Sequence, residues 1–304
     1  MDIELNEQNV DIIKALASST RIAIINMLRD GPQNITGIAT QLMLSPSIIT
    51  RHVKLLEDAN ILRTKVYDDT AGKQKFCTLN IDQLTINFPF KVHNQYQKHM
   101  LDIPVGSFTN YSVKPTCGLA SSENYIGVLD EPKYFMNPDR FEAQLVWFSE
   151  GFIEYNFFNP ISQNQEIQLI EISFELASEF PENNYVWPSD IYFSLNNVNF
   201  GMWTCPGNFA DVRGKNNPEW WPSVNSQYGL LKTIRITPNE TQIDGEHLSN
   251  YKISNVDFNT TFFTLKLSVP ENAENVGGLT IFGENFGNYA QNIKVTFYYS
   301  DRLW

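Results

Sequence analysis

Cysteine and histidine are scarce in these 304 residues. The three cysteines, Cys77, Cys117 and Cys205, lie far apart, which excludes a paired disulfide framework. The four histidines are His52, His93, His99 and His247; His93 and His99 are six apart, which suits neither a strand face nor a helical i, i+4 metal pair. No apolar run approaches the roughly 18 residues a membrane span requires. Gly 16 and Pro 15 are too few for a collagen-like or low-complexity chain. The first residues, MDIELNEQNV, are acidic and polar, the opposite of a secretory signal. A soluble cytoplasmic protein is expected, with no membrane partner and no cofactor.

Positive charge is short overall, at a net −12, but unevenly so. Residues 1–85 carry nine Lys/Arg against ten Asp/Glu, whereas the remaining 219 carry 13 against 24. Evenly spread acid would argue against nucleic acid. Here it lies in the second part, leaving the basic residues of the first part free to cluster.

The hydrophobic period changes along the chain. From Asn6 to about Leu62 it is helical: Ile12, Ile13 and Leu16, then Ile22, Ile25 and Leu28, recur three and four apart. Ser18, Ser19 and Thr20 can cap a second helix, which Gly31-Pro32 ends. Asn34 and Thr36 open a short third segment. Ser45-Pro46 begins a fourth helix, with Ser as cap and Pro at the first helical position. Residues 61–67 and 75–79 then read as two strands around a polar turn at 68–72. Beyond about Leu84 the period is two, as in Ile170, Ile172, Phe174, Leu176 and in Ile293, Val295, Phe297, Tyr299. The predicted architecture is an N-terminal α+β winged helix-turn-helix, residues 1–84, followed by an all-β, jelly-roll-like sandwich, residues 85–304.

Within the span IATQLMLSPSIITRHVKLLEDANIL (residues 38–62), Ala39 is small where two helices must cross, and Leu42 and Leu44 close the turn. Ile49, Val53 and Leu56 form an inward stripe. Stepping 100° per residue puts Ser47, Arg51 and Lys54 on the opposite face, with Thr50 at its shoulder. A hydroxyl, a bidentate donor and a cation are the groups that reach base edges and phosphates in a major groove. Ser45 and Ser47 can also bring backbone amides to a phosphate. Lys65, Lys73 and Lys75 lie on the hairpin, where a wing would meet adjacent backbone. The plainer reading is that these side chains only solvate a surface.

Residues 15–28 (ALASSTRIAIINML) together with 38–62 resemble the ArsR-type winged-helix transcriptional regulators of bacteria, over about residues 8–80. The resemblance implies a homodimer reading partly palindromic double-stranded operator DNA, with recognition helices in successive major grooves. By family position Ser45, Ser47, Thr50, Arg51 and His52 match DNA-proximal residues, although helical geometry turns His52 sideways, as a neutral core-edge residue would be. Metal-sensing members carry a Cys-x-Cys-type site before the recognition helix, or carboxylate and His ligands on a later helix. Residues 37–44 contain no Cys, Asp, Glu or His, so soft-metal sensing has little support and another effector is implied.

The second half resembles the β-rich second domain of ArsR-like regulators suspected of responding to sugars. The stretches concerned are PTCGLAS (115–121), WPSDI (187–191), WTCPGNFADVRGKNNPEWWP (203–222), QYGLLK (227–232) and FGENFGNY (282–289). Four of six tryptophans, Trp187, Trp203, Trp220 and Trp221, fall within residues 185–232 beside Asp190, Asp211, Arg213 and Tyr228. Aromatic faces that cover C–H groups, with carboxylates and amides that fix hydroxyls, suit a carbohydrate effector. The alternative is that the tryptophans close the sandwich and that Asp211 and Arg213 form a structural ion pair.

An enzyme is not expected. Carboxylate pairs such as Glu150 and Glu154, or Asp190 and Asp211, would serve a glycosidase only at a set separation. Cys117 reads as a buried apolar thiol rather than a nucleophile. Residues 283–287 lack the strand–turn–helix setting of a phosphate loop. The sequence therefore points to a DNA-binding regulator whose β-domain senses a small molecule. The alternative is a carbohydrate-binding or carbohydrate-active protein whose winged helix serves protein contacts only.

Overall fold

Capping and one apolar stripe build the first part of the chain. In the computed structural model, which describes residues 1–69, 72–81, 83–87 and 96–302, the chain divides into two units, Met1–Gln95 and Tyr96–Trp304. The first unit runs β1 (Asp2–Glu4), α1 (Val10–Leu16), α2 (Ser19–Met27), β2 (Gln33–Asn34), α3 (Ile35–Gln41), α4 (Pro46–Asp58), β3 (Leu62–Asp69), β4 (Gly72–Leu79) and β5 (Thr85–Asn87). Asn34 caps α3 by accepting from the Gly37 N–H at 2.6 Å. Ser45 caps α4 by accepting from the Ile48 N–H, and Pro46 takes the first turn, where it forfeits no hydrogen bond. Ser18 stands at the N-cap of α2 without a side-chain bond to that helix. The α-helical part of α2 stops at Met27, and a single 3-10 turn, Leu28–Asp30, carries the chain to Gly31 at φ +130°. Gly31-Pro32 thus closes the helical run that begins at Ser19, its last turn tightened to 3-10.

Ile49, Val53 and Leu56 are buried, and they meet Ala15, Ile24, Ile38, Ala39 and Leu62 in one core, with Leu42 and Leu44 at its rim. Each such burial contributes about 1.5–3 kcal/mol. Strands β2, β4 and β3 form a three-stranded antiparallel sheet with Leu62 opposite Leu79, which is the wing. Strand β5 pairs in parallel with β1, so residues 85–87 belong to this unit. The turn residues 70–71 lie outside the described residues.

The second unit comprises β6 (Gln97–Ile103), β7 (Asn110–Ala120), β8 (Leu145–Phe158), β9 (Gln165–Ala177), β10 (Ser189–Leu195), β11 (Val198–Cys205), β12 (Leu230–Ile236), β13 (Thr241–Ile243), β14 (Glu246–Ser249), β15 (Phe262–Val269), β16 (Leu279–Phe282) and β17 (Ile293–Asp301). All pairings are antiparallel. One series runs β7-β8-β15-β10-β11 and the other β6-β17-β9-β12-β13-β14. Strand β16 bonds to the start of β8 and to the end of β9, so it is shared by both series. The result is a sandwich drawn toward a barrel. Alternate residues face one core, in which Phe174 of β9 stacks on Phe193 of β10 at 5.4 Å and Phe157 meets Phe297 at 6.5 Å.

Leu56→Ala should destabilise the first unit by about 2–5 kcal/mol, the cost of a buried cavity. Chemical denaturation followed by helix signal checks this. A loss below about 0.5 kcal/mol, the level typical of a surface substitution, would contradict the packing described.

Candidate functional site

With the stripe of α4 facing inward, Ser45, Ser47, Thr50, Arg51 and Lys54 are all exposed. The Ser45 and Ser47 hydroxyls lie 3.0 Å apart at the helix start, and Thr50 donates back to the Pro46 carbonyl at 2.8 Å. His52 is only half-exposed. Its Nδ1 lies 3.4 Å from the Arg21 guanidinium, which also grips the Lys14 and Ala15 carbonyls at the end of α1. Burial, then the charges of Arg21 and Arg51, hold its pKa below the ordinary histidine value, so the ring is a neutral tie between α2 and α4.

The wing lysines are not equivalent. Lys65 is exposed on β3. Lys75 is half-buried and paired with Glu57 at 3.3 Å. The Thr64 hydroxyl also donates to Glu57 and, with Lys75, keeps that carboxyl below its usual pKa despite partial burial. The Lys73 side chain lies outside what the structure describes.

The eight aromatic and polar residues singled out in the second unit do not share one site. Asp190 is buried, accepting from the Thr204 hydroxyl at 2.7 Å and from the Asn275 N–H at 2.9 Å. Trp203 packs at the core edge under Lys232, whose Nζ stands 4.6 Å from its ring. Asp211 accepts from the Tyr228 hydroxyl at 2.6 Å, and Arg213 donates to the Pro218 and Trp221 carbonyls, so the two do not pair with each other. Trp187 meets Phe180 edge-on at 4.8 Å. Trp220 and Trp221 join Tyr125, Trp147 and Phe286 in a separate aromatic cluster, held by Trp220 donating to the Ser122 carbonyl and Trp221 to that of Ser226. Gly118 lies under the Trp147 ring, where any Cβ would collide with it. The carboxylates weighed for catalysis are engaged: Glu150 with Lys114 at 2.6 Å and Glu154 with Lys266 at 3.1 Å. Burial pushes the Cys117 thiol up to about 12, which keeps it protonated. Among the described residues no group of three or more His, Cys, Asp or Glu is placed to hold a metal.

A cleft of about 180 Å³ opens beside the aromatic cluster. Its walls include Tyr125, Trp147, Trp221, Asp130 and Glu179. Glu179 is only 9% exposed and accepts from the Thr116 hydroxyl at 3.1 Å and the Thr280 hydroxyl at 3.2 Å. Burial, reinforced by the charge of Asp130, pushes its pKa up to about 7 against those two donors. Sequence reasoning missed Glu179, Tyr125 and Trp147. Only the position of Glu179 at the end of an alternating strand hinted at it. A larger groove of about 780 Å³ beside Ile161, Ile167 and Phe258 is lined mainly by amides and aliphatic side chains and gathers no comparable charge.

A carboxyl whose folded pKa is raised binds its proton more tightly in the native state. Its contribution to stability is complete below the ordinary value near 4.5 and fades as pH rises through about 7. The melting temperature of the second unit should therefore fall between pH 5 and pH 8, and Glu179→Gln should flatten part of that fall. Calorimetric scans across this range would check it, and an unchanged pH slope in the variant would contradict the assignment.

No curated protein matches this chain. Residues 18–64 match the family model described as "Bacterial regulatory protein, arsR family". Among solved structures, reduced HlyU from Vibrio cholerae N16961 is 26% identical over 24% of this chain and 72% of its own, with a TM-score of 0.21. An ArsR family transcriptional regulator is 29% identical over 24% and 76%, with a TM-score of 0.22. The Emp47p carbohydrate recognition domain covers 69% of this chain and 91% of its own, at 12% identity and a TM-score of 0.22. At such low scores none of these likenesses decides what the second unit does. The first unit carries, in residues 18–64, a DNA-binding helix-turn-helix domain of the bacterial arsR family.

Proposed function

We propose that the protein is a homodimeric transcriptional regulator that binds operator DNA through α4 and senses a small molecule through its second unit. The observation that carries this reading is the outward face of α4. Ser47, Thr50, Arg51 and Lys54 are all exposed on the helix that follows the turn of an arsR-family domain, while Ile49, Val53 and Leu56 are buried. Arg51 and Lys54 supply donors for base edges and phosphates, and Ser45 and Ser47 bring the capped helix start to the backbone. Lys65 adds a wing contact. Lys75, held by Glu57, and His52, held by Arg21, act in positioning rather than in reading DNA.

The effector is a small polar molecule, with carbohydrate the class favoured by the tryptophan-rich loops. Of the residues named for it, Trp221 lines the cleft, Trp220 and Trp187 buttress its aromatic walls, and Arg213 fixes the Trp221 loop through its backbone. Effector binding changes the spacing of two recognition helices, whose grooves lie about 34 Å apart. The acidic second unit limits non-specific attraction to phosphate, leaving affinity to the helix.

A mobility-shift titration with the DNA upstream of the chain's own coding sequence tests the reading. Arg51→Ala and Lys54→Ala should each weaken the shift by about tenfold and, for a phosphate contact, reduce the salt slope by about one. Unchanged binding in both would favour a helix-turn-helix used for protein contacts.

A further inference from the structure

The cleft beside Glu179 combines three features that a wholly structural cavity does not need. Its lining includes the carboxylates Asp130, Glu179 and Glu182 and, among the described residues, no Lys, Arg or His. Each Glu179 oxygen accepts one hydroxyl bond, whereas a carboxylate offers about four acceptor positions, so capacity is left over in a water-poor setting. Ser226, also on the wall and only 6% exposed, has a hydroxyl oxygen with no hydrogen-bond partner. Buried charge and unsatisfied polar groups are costly unless a partner completes them.

The walls fit one kind of partner. Tyr125, Trp147 and Trp221 stand 5.6–6.4 Å apart by ring centroid, at mutual angles of 56–69°. Aromatic faces attract cations, and a nearby carboxylate strengthens the attraction when water is excluded. The Asn225 amide, which donates to the Tyr125 hydroxyl at 3.3 Å, adds a polar group at the rim. A cavity of about 180 Å³ has room for roughly six waters' worth of ligand, the scale of a single sugar ring. The three carboxylates disfavour an anion there.

We infer that this cleft binds a small ligand bearing a protonated amine, its ammonium against Glu179 and Asp130 and its apolar face against Trp221 and Trp147. An amino sugar meets this chemistry and the aromatic reading together. The inference rests on the proposal that the second unit senses a small molecule, and it names the charge that molecule carries.

Isothermal calorimetry and tryptophan fluorescence on the full chain, titrated with glucosamine, glucose and methylammonium, test it. Glucosamine and methylammonium should bind saturably, and glucose should bind at least about tenfold more weakly than glucosamine. Glu179→Gln should weaken glucosamine by about tenfold or more. Should that variant fail to fold, Asp130→Asn gives the same test with a smaller loss, because an amide oxygen still accepts from the Cys117 N–H. Glucose binding as tightly as glucosamine, no saturable binding of either ammonium probe, or unchanged affinity in a folded variant would overturn the inference. Failure of the sensing proposal looks different: glucosamine binds as expected but leaves the mobility shift unaltered.

Discussion

Burial of Ile49, Val53 and Leu56 is the constraint from which the first unit follows. Three side chains at i, i+4 and i+7 occupy one stripe of a 13-residue helix, and once that stripe is driven into the core the rotation of α4 is fixed. No separate force is needed to expose Arg51 and Lys54. Their angular distance from the stripe does it. The Ser45 cap sets where the helix begins, so the exposed hydroxyls stand at its positive end. The wing sheet is tied to the far end of the same helix through Glu57, which takes both Thr64 and Lys75.

In the second unit the ordering element is β16. Because this four-residue strand bonds to both β8 and β9, it brings Thr280 against Glu179 and closes one end of the sandwich. A second buried carboxylate, Glu175, accepts from the backbone N–H groups of Gly229, Asn288 and Tyr289 and so fastens the loop that follows β16. Gly287 sits beside it at φ +73°, where a side chain would run into that carboxylate. Glu175 is spent on structure. Glu179, with two hydroxyl donors and a cleft in front of it, is not.

Much of this was legible in the residues. The Ser45-Pro46 cap, the inward stripe and the alternation in β9 and β17 all read correctly, because caps and periods are local properties of the chain. What could not be read is what depends on distant pairing. Tyr125, Trp147, Glu179 and Trp221 meet only because β8, β9 and β16 bring four separate segments to one end, and no spacing in the sequence encodes that. Asp190 reads as a ligand carboxylate but is taken by Thr204 and Asn275, since the chain near residue 275 returns beside β10. Lys75 reads as a wing cation, yet the β4 strand lays it against Glu57.

The outward face of α4 can be tested by footprinting. The three native thiols, Cys77, Cys117 and Cys205, are buried, so Ser47→Cys introduces one reactive site on that face. Labelling of this variant with a thiol reagent should be rapid in the free protein and strongly slowed by saturating operator duplex. Equal labelling at position 47 in the presence of bound duplex would contradict the account.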